Sequence, residues 1–453
     1  MPRRISVTRC VADRQPGGAA MTSRNKSSSR RWRGIWSALL LLLTAFPLSR
    51  AAAQGLPLCS WPFEVTGHGL TNVATPDTNA TYWVMPVDTS RWSTVIVDGR
   101  YPNARFFNLS TYQATGTLVD SMDDASIEAA SGVNPFDVKL PPPKDNTLNT
   151  YRLQISRASA SSGNTLGFGA SRLQFIVYRV YAAESSYDRT GGAQVPSVTL
   201  VAPNGTSRQL RSCPFADADT SLANLILLLR VNGFTDAANF LQGILAAAGQ
   251  LRFGAGSCTG QPPSPNPVFA PATLGADFFP NPQTTYLETP GFCFQSGKML
   301  VVTGRAPVFP DTYNGRTVFD PAPPFEGAPI QLRYWSMCNN DRAIPYPVVA
   351  CKADFETAIQ KFADPNTNSP VFSYTYIVSA DPAPPDLPEN INWLPWGATD
   401  IPKNLIFRII LPQASFLLTD YYPQAVFCDR ANLANLSACF PASARISSAA
   451  GSP

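Results

Sequence analysis

The chain has 453 residues, only 15% of them charged, with a formal net charge of +4, which argues against electrostatic capture of nucleic acid or of an anionic membrane. A single histidine, His68, excludes a multi-histidine metal site and leaves any Ser-His or Cys-His machinery one residue to use. Forty-three prolines and 11% aromatic residues favour an all-β protein with long loops over a helical one, and a chain of this length suggests two domains.

The first residues carry Arg24, Lys26, Arg30, Arg31 and Arg33, followed by an apolar run over 34–48 and then Ala51-Ala52-Ala53. A basic region, a short apolar run and a small-residue cleavage site predict a signal peptide over 1–53, with Met21 as an alternative start. The run is too short for a permanent membrane span, so the mature protein is expected to be secreted or periplasmic. Arg30-Arg31 and Leu56-Pro57-Leu58-Cys59 match twin-arginine and lipoprotein signals less well. Cys10 falls in the discarded segment, leaving Cys59, Cys213, Cys258, Cys293, Cys338, Cys351, Cys428 and Cys439. An even set with no Cys-x-x-Cys spacing reads as disulfides in an oxidising compartment, with Cys428–Cys439 and Cys338–Cys351 the easiest local closures.

A first β-sandwich is predicted over 54–212. His68 lies in Thr66-Gly67-His68-Gly69-Leu70, a turn in which a solvated histidine is expected. Pro76-Asp77-Thr78-Asn79 feeds a strand at Ala80-Thr81-Tyr82-Trp83-Val84-Met85, and Thr94-Val95-Ile96-Val97-Asp98-Gly99-Arg100 is a second. Ala104 to Tyr112 is a third, turning at Gln113-Ala114-Thr115-Gly116. The acidic stretch Asp120, Asp123, Asp124 and Glu128 lacks the spacing of a calcium-binding loop and suits turns and caps. Tyr151-Arg152-Leu153-Gln154-Ile155-Ser156 alternates as a strand does. The unit ends with Asn164-Thr165-Leu166-Gly167-Phe168-Gly169 and the strand Leu173 to Tyr181, interrupted by Arg179.

Residues 213–272 differ in texture. Leu222 to Arg230 and the segment 237–248 have helical spacing, separated by Asn232-Gly233, and a proline-rich connector follows. A second sandwich is then predicted over 273–440, because the same blocks return in the same order. Pro282 to Leu287 parallels the first strand and Met299 to Pro307 the second, with Gly304-Arg305 in the place of Gly99-Arg100. Leu332-Arg333-Tyr334-Trp335-Ser336 parallels Ala104-Arg105-Phe106-Phe107-Asn108. The segment 374–379 parallels Tyr151 to Ser156, and Asn392-Trp393-Leu394-Pro395-Trp396-Gly397 leads to a strand interrupted by Arg408. Thr81 to Gly99 and Thr285 to Gly304 span eighteen and nineteen positions. Tandem copies of one antiparallel sandwich account for this order. The segment 310–329, rich in Pro and Gly, is an insertion expected to be a surface loop, and the tail 441–453 is expected to be disordered.

Arg333-Tyr334-Trp335-Ser336, the strand at 374–379, and Asn392-Trp393-Leu394-Pro395 followed by Arg408 resemble the C-terminal domain of a bacterial family. That family is known as domain of unknown function twelve-fourteen and is often paired with twelve-fifty-four. The resemblance covers roughly the last third of the chain, and the first unit looks like a diverged copy with Leu166-Gly167-Phe168-Gly169 in place of Trp-Leu-Pro. It implies a jelly-roll-like sandwich and no assigned activity.

Three arginines recur at matched places: Arg100 and Arg305, Arg105 and Arg333, Arg179 and Arg408. A guanidinium in an apolar strand must be paired or stacked; it is expected either to bridge strands or to hold a carboxylate or sugar oxygen. Trp393 and Trp396, placed in a loop, are candidates for an aromatic ligand groove, with Arg333, Arg408, Arg105 and Arg179 as candidate polar contacts. Asp98, Asp123, Asp124, Asp354 and Glu356 could supply a glycosidase pair, although no spacing singles one out. No phosphate loop, dinucleotide fingerprint or nucleophile elbow occurs, and no cofactor or metal is expected. The sequence points to a binding or structural module for a glycan or another polar or amphipathic small molecule. A carboxylate-dependent hydrolase or lyase acting on a saccharide-like substrate is the alternative.

Overall fold

The structure, a computed structural model, describes residues 56–57, 59–68, 72–139, 148–157, 163–213, 218–251, 258–272, 279–363 and 370–440. The expected signal peptide with Met21, and the tail 441–453, lie outside them. Eleven strands come first: β1 (Phe63–Val65), β2 (Ala80–Asp88), β3 (Thr94–Arg100), β4 (Ala104–Gln113), β5 (Leu118–Asp123), β6 (Ala129–Ser131), β7 (Thr150–Ser156), β8 (Thr165–Gly167), β9 (Leu173–Ala183), β10 (Ser197–Val201) and β11 (Ser207–Leu210). Helices α1 (Ala218–Val231) and α2 (Thr235–Leu251) follow. Ten more strands complete the chain: β12 (Ala270–Pro271), β13 (Thr284–Glu288), β14 (Lys298–Arg305), β15 (Tyr334–Asp341), β16 (Val348–Ala353), β17 (Gln360–Ala363), β18 (Pro370–Ser379), β19 (Asn392–Pro395), β20 (Lys403–Ile410) and β21 (Gln424–Asp429).

The first sheet runs β1-β2-β9-β4-β5, and the second runs β11-β10-β3-β7-β6 with β8 parallel to β7. Their facing sides share one core, which includes Trp83, Val97, Phe107, Leu153, Tyr178 and Leu200. The third sheet, β12-β13-β20-β15-β16, packs on the fourth, β17-β18-β14-β21 with β19 parallel to β18. Trp335, Phe407, Leu300, Tyr376 and Leu394 fill that core. The fold is therefore all-β with two sandwiches, and helices α1 and α2 lie between them in sequence.

Among the described residues, the strand orders correspond except at β11, which has no counterpart in the fourth sheet. The register places Tyr82 and Asn108 on either side of Arg179, and Tyr286 and Ser336 on either side of Arg408. The recurring glycine has a steric reason. A Cβ on Gly99 would lie 2.4 Å from the Tyr151 ring, and one on Gly304 would lie 2.5 Å from the Tyr374 hydroxyl.

The outward faces of the first and third sheets meet. Phe106, Tyr181, Tyr334 and Ile410 form an apolar seam, which two reciprocal ion pairs flank. Arg105 Nη1 donates to Asp354 Oδ2 at 2.7 Å, and Arg333 Nη1 to Asp124 Oδ2 at 3.3 Å. Each carboxylate also accepts a strand amide of its own sandwich, Phe107 N for Asp124 and Trp335 N for Asp354, both at 3.1 Å. Burial pushes the Asp124 carboxyl up to about 7 and the Asp354 carboxyl up to about 6; the arginines reverse only part of the rise.

Four disulfides are formed, Cys59–Cys213, Cys258–Cys293, Cys338–Cys351 and Cys428–Cys439. The last two are the local closures expected from spacing. Three expectations are corrected. Asn392–Pro395 is not a loop but the short parallel strand β19, because Asn392 donates its side-chain amide to Thr375 O in β18 and holds the segment against that strand. Part of the acidic stretch is strand β5, and only its end makes a cap, with Asp123 Oδ1 accepting Ser126 N at 2.9 Å. The 310–329 insertion is not a surface loop. Thr312 accepts from Arg105 Nε at 2.6 Å, Phe325 is buried, and Val318 enters the core of the first sandwich.

Two measurements check this architecture. Mass mapping of the unreduced protein is expected to return the four pairings above and no free thiol among those eight cysteines. The second is urea unfolding from pH 4 to 8. The folded carboxyls of Asp124 and Asp354 hold protons to a higher pH than the usual 3.8, so the folded state binds more protons between about pH 4 and 7, and stability falls as pH rises through that window. Asp124→Asn cannot ionise and is expected to flatten that slope by up to about 1.4 kcal/mol per pH unit.

Candidate functional site

Beside the apolar seam, the same two outward faces diverge around a cavity of about 480 Å³. The strand alternation decides what faces it. In β9, Ile176, Tyr178 and Val180 point into the first core, so Phe175, Val177, Arg179 and Tyr181 point the other way. In β20, Leu405, Phe407 and Ile409 fill the second core, which turns Asn404, Ile406 and Arg408 towards the cavity. Phe63, Val65 and Val84 extend the apolar wall, and Leu225 of α1 and Leu241 of α2 close over it. Leu225, Leu229 and Ala238 pack on Phe63, Phe175 and Val177, which is how the helices expected from the sequence take part in the site.

The polar end of the cavity is built from the matched arginines. Arg408 is 2% exposed, and its Nη1 donates to Asp77 Oδ2 at 2.8 Å, while Nη2 donates to Thr75 O at 3.0 Å. Asp77 belongs to the first sandwich and also accepts from Tyr334 Oη and Ser336 Oγ of the second. Arg179, equally buried, donates Nη2 to Phe279 O at 2.9 Å and to Tyr112 Oη at 2.7 Å, and Nη1 to Ser110 Oγ at 3.2 Å. Its guanidinium carbon lies 5.7 Å from the Tyr82 ring centre and 5.4 Å from that of Tyr112. Among the described residues, no carboxylate lies within ion-pair distance of Arg179.

The two arginines thus share a main-chain carbonyl and a flanking tyrosine ring, but Arg408 has the Asp77 carboxylate where Arg179 has the Tyr112 hydroxyl. Counting back from the register-matched Tyr82 and Tyr286, Thr75 falls opposite Phe279, and Asp77 opposite Asn281. Both main-chain carbonyls receive an arginine, but the carboxylate at one site is an amide at the other. Asn281 Oδ1 accepts from Asn108 Nδ2 at 2.9 Å, and its own Nδ2 is buried without a partner.

The remaining site residues expected from the sequence fall elsewhere. Arg105 and Arg333 bind the sandwiches together through their ion pairs and do not line the cavity. Trp396 is buried among Phe292, Phe294 and Phe427 in the second core, so its ring cannot serve an open groove. Trp393 sits in β19 against the cluster of Met299, Val301 and Ile377, and its Nε1 donates to Asp381 O at 3.2 Å. Of the candidate acids, Asp98 pairs with Arg152 on the surface, Asp124 and Asp354 are in the interface, and Glu356 accepts from Asn79 Nδ2 at 2.7 Å. His68 is exposed and lies outside the cavity. Sequence reasoning missed Phe279, Asn281, Tyr286 and Glu288. The one available signal was the Asp-to-Asn difference between the two strand-leading turns.

No family model matches the chain, and no curated protein matches it. Among solved structures, an uncharacterised protein of Burkholderia cenocepacia is similar at a TM-score of 0.47 and 13% identity, over 89% of this chain and 91% of that one. A Vibrio parahaemolyticus protein is similar at a TM-score of 0.37 and 11% identity, over 78% and 91%. Likenesses at this level carry no assignment of activity.

The asymmetry between the arginines is testable by urea unfolding. Arg408→Met strands a buried carboxylate and is expected to cost about 3–5 kcal/mol, most of it recovered when Asp77→Asn is added. Arg179→Met strands no charge and is expected to cost clearly less.

Proposed function

We propose that the protein is an exported binding module, that its sandwiches are copies of one unit, and that the cavity between them takes a small amphipathic molecule. The cavity carries the proposal. It lies in the size range of small-molecule sites, with a mostly apolar wall and a few convergent polar groups at one end. Four disulfides support an oxidising compartment, and no described helix is long and apolar enough to cross a membrane. The matching strand orders support the common unit, and with it the family resemblance of the second sandwich.

An amphipathic ligand suits the cavity better than a sugar. A saccharide needs polar partners along its whole length, whereas Phe63, Val65, Val84, Phe175, Val177 and Leu225 offer none from their side chains. Binding also suits the lining better than turnover, because Glu288 alone among the described lining residues carries a carboxylate, while glycoside hydrolysis ordinarily uses two.

Uptake of the neutral dye N-phenyl-1-naphthylamine provides the test. Its fluorescence is expected to rise saturably on mixing with the mature protein, and Val65→Trp, which fills the cavity, is expected to remove the rise while leaving the unfolding transition in place. Equal enhancement in both proteins would place the dye elsewhere and end the proposal.

A further inference from the structure

We infer that the ligand of this cavity is an amphipathic monoanion, a carboxylate on an apolar tail, whose head group lies on Arg179. The inference rests on the proposal that the cavity binds a small molecule, and adds the chemistry of its head. Its ground is the unequal treatment of two arginines held in the same frame. A guanidinium cannot shed its charge at any physiological pH, so a buried one must be paired or stacked. Arg408 has a counter-charge in Asp77, 2.8 Å away. Among the described residues, Arg179 has only neutral acceptors and the Tyr82 and Tyr112 rings. Arg179 is as deeply buried, and the turn that would deliver its carboxylate delivers Asn281 instead.

The charge sum over the cavity agrees. Among the described residues that line it, Arg179, Arg342 and Arg408 are basic and Glu288 is acidic, and Asp77 behind Arg408 is the second acid. Among these described residues one positive charge is left over, matching a monoanion. A phosphate monoester, at about −1.5 to −2 near neutral pH, would overcompensate it. A carboxylate also suits the planar donor fork of arginine. Beyond the head group, Tyr82 and Phe279 flank Arg179, and Val177, Phe175, Val84 and Leu225 continue the wall with no charge, a path suited to an alkyl or aryl-alkyl tail. Asn281 in place of aspartate is what leaves Arg179 available to a ligand.

Titration calorimetry on the full mature protein separates this inference from the one beneath it. Hexanoate and octanoate are compared with hexanol and octanol, and with octyl phosphate. Octanoate is expected to bind more tightly than octanol by about tenfold, the scale of a hydrogen bond to a charged group. Affinity is expected to rise by about fourfold for each added methylene. Asn281→Asp supplies the missing carboxylate from within. It is expected to raise the melting temperature of the ligand-free protein and to bring octanoate down to the level of octanol. Arg179→Gln is expected to abolish the same preference. If octanol binds as well as octanoate, or the preference survives Asn281→Asp, the anionic head group is wrong while the cavity stands. Tighter binding of octyl phosphate than of octanoate would also overturn the carboxylate. If neither octanoate nor octanol binds, the binding proposal itself fails.

Discussion

The two sandwiches are fixed to each other by carboxylates that serve two masters. Asp124 accepts both an amide of strand β4 and Arg333 of the other sandwich, and Asp354 does the same for strand β15 and Arg105. Each acid therefore ties the position of its own strand to the position of the opposing sheet. Buried pairs of this kind add little net stability compared with apolar packing, but misalignment leaves a charge without its partner, at a cost of several kcal/mol. The reciprocal pairs thus permit one relative placement of the sheets. In that placement the Tyr181–Tyr334 seam closes on one side, and Arg179 and Arg408 come to share a cavity on the other.

Much of the architecture was legible in the sequence because order and spacing survive where identity does not. Gly99 and Gly304 recur because the facing tyrosines leave no room for a Cβ, and the arginines recur because each occupies the same station in its sheet. The cavity was not legible. Which face of β9 or β20 looks into a core and which into the cavity depends on how whole sheets stack, and both faces of these strands are buried. Apolar and polar positions then no longer alternate in a way that reveals a solvent side. Trp396 misled for a related reason. A Pro-Trp-Gly stretch reads as an exposed turn, yet here it follows a parallel strand that delivers the ring into the core.

Resemblance between the sandwiches makes their differences informative. Where both carry the same residue, the shared frame explains it, as for Arg105 and Arg333. Where one departs, the departure has a consequence of its own. Asp77 and Asn281 stand at equivalent points of a frame that gives each arginine a flanking tyrosine ring and a main-chain carbonyl. One sandwich thereby secures the other internally, and the other leaves its arginine facing a space.

The 310–329 segment leaves the second sandwich, meets Arg105 through Thr312, and places Val318 in the core of the first. A ribosome delivers the first sandwich well before this segment, so the N-terminal half leaves synthesis with its interior incomplete. Its final consolidation must wait for residues more than a hundred positions beyond its last strand, β11.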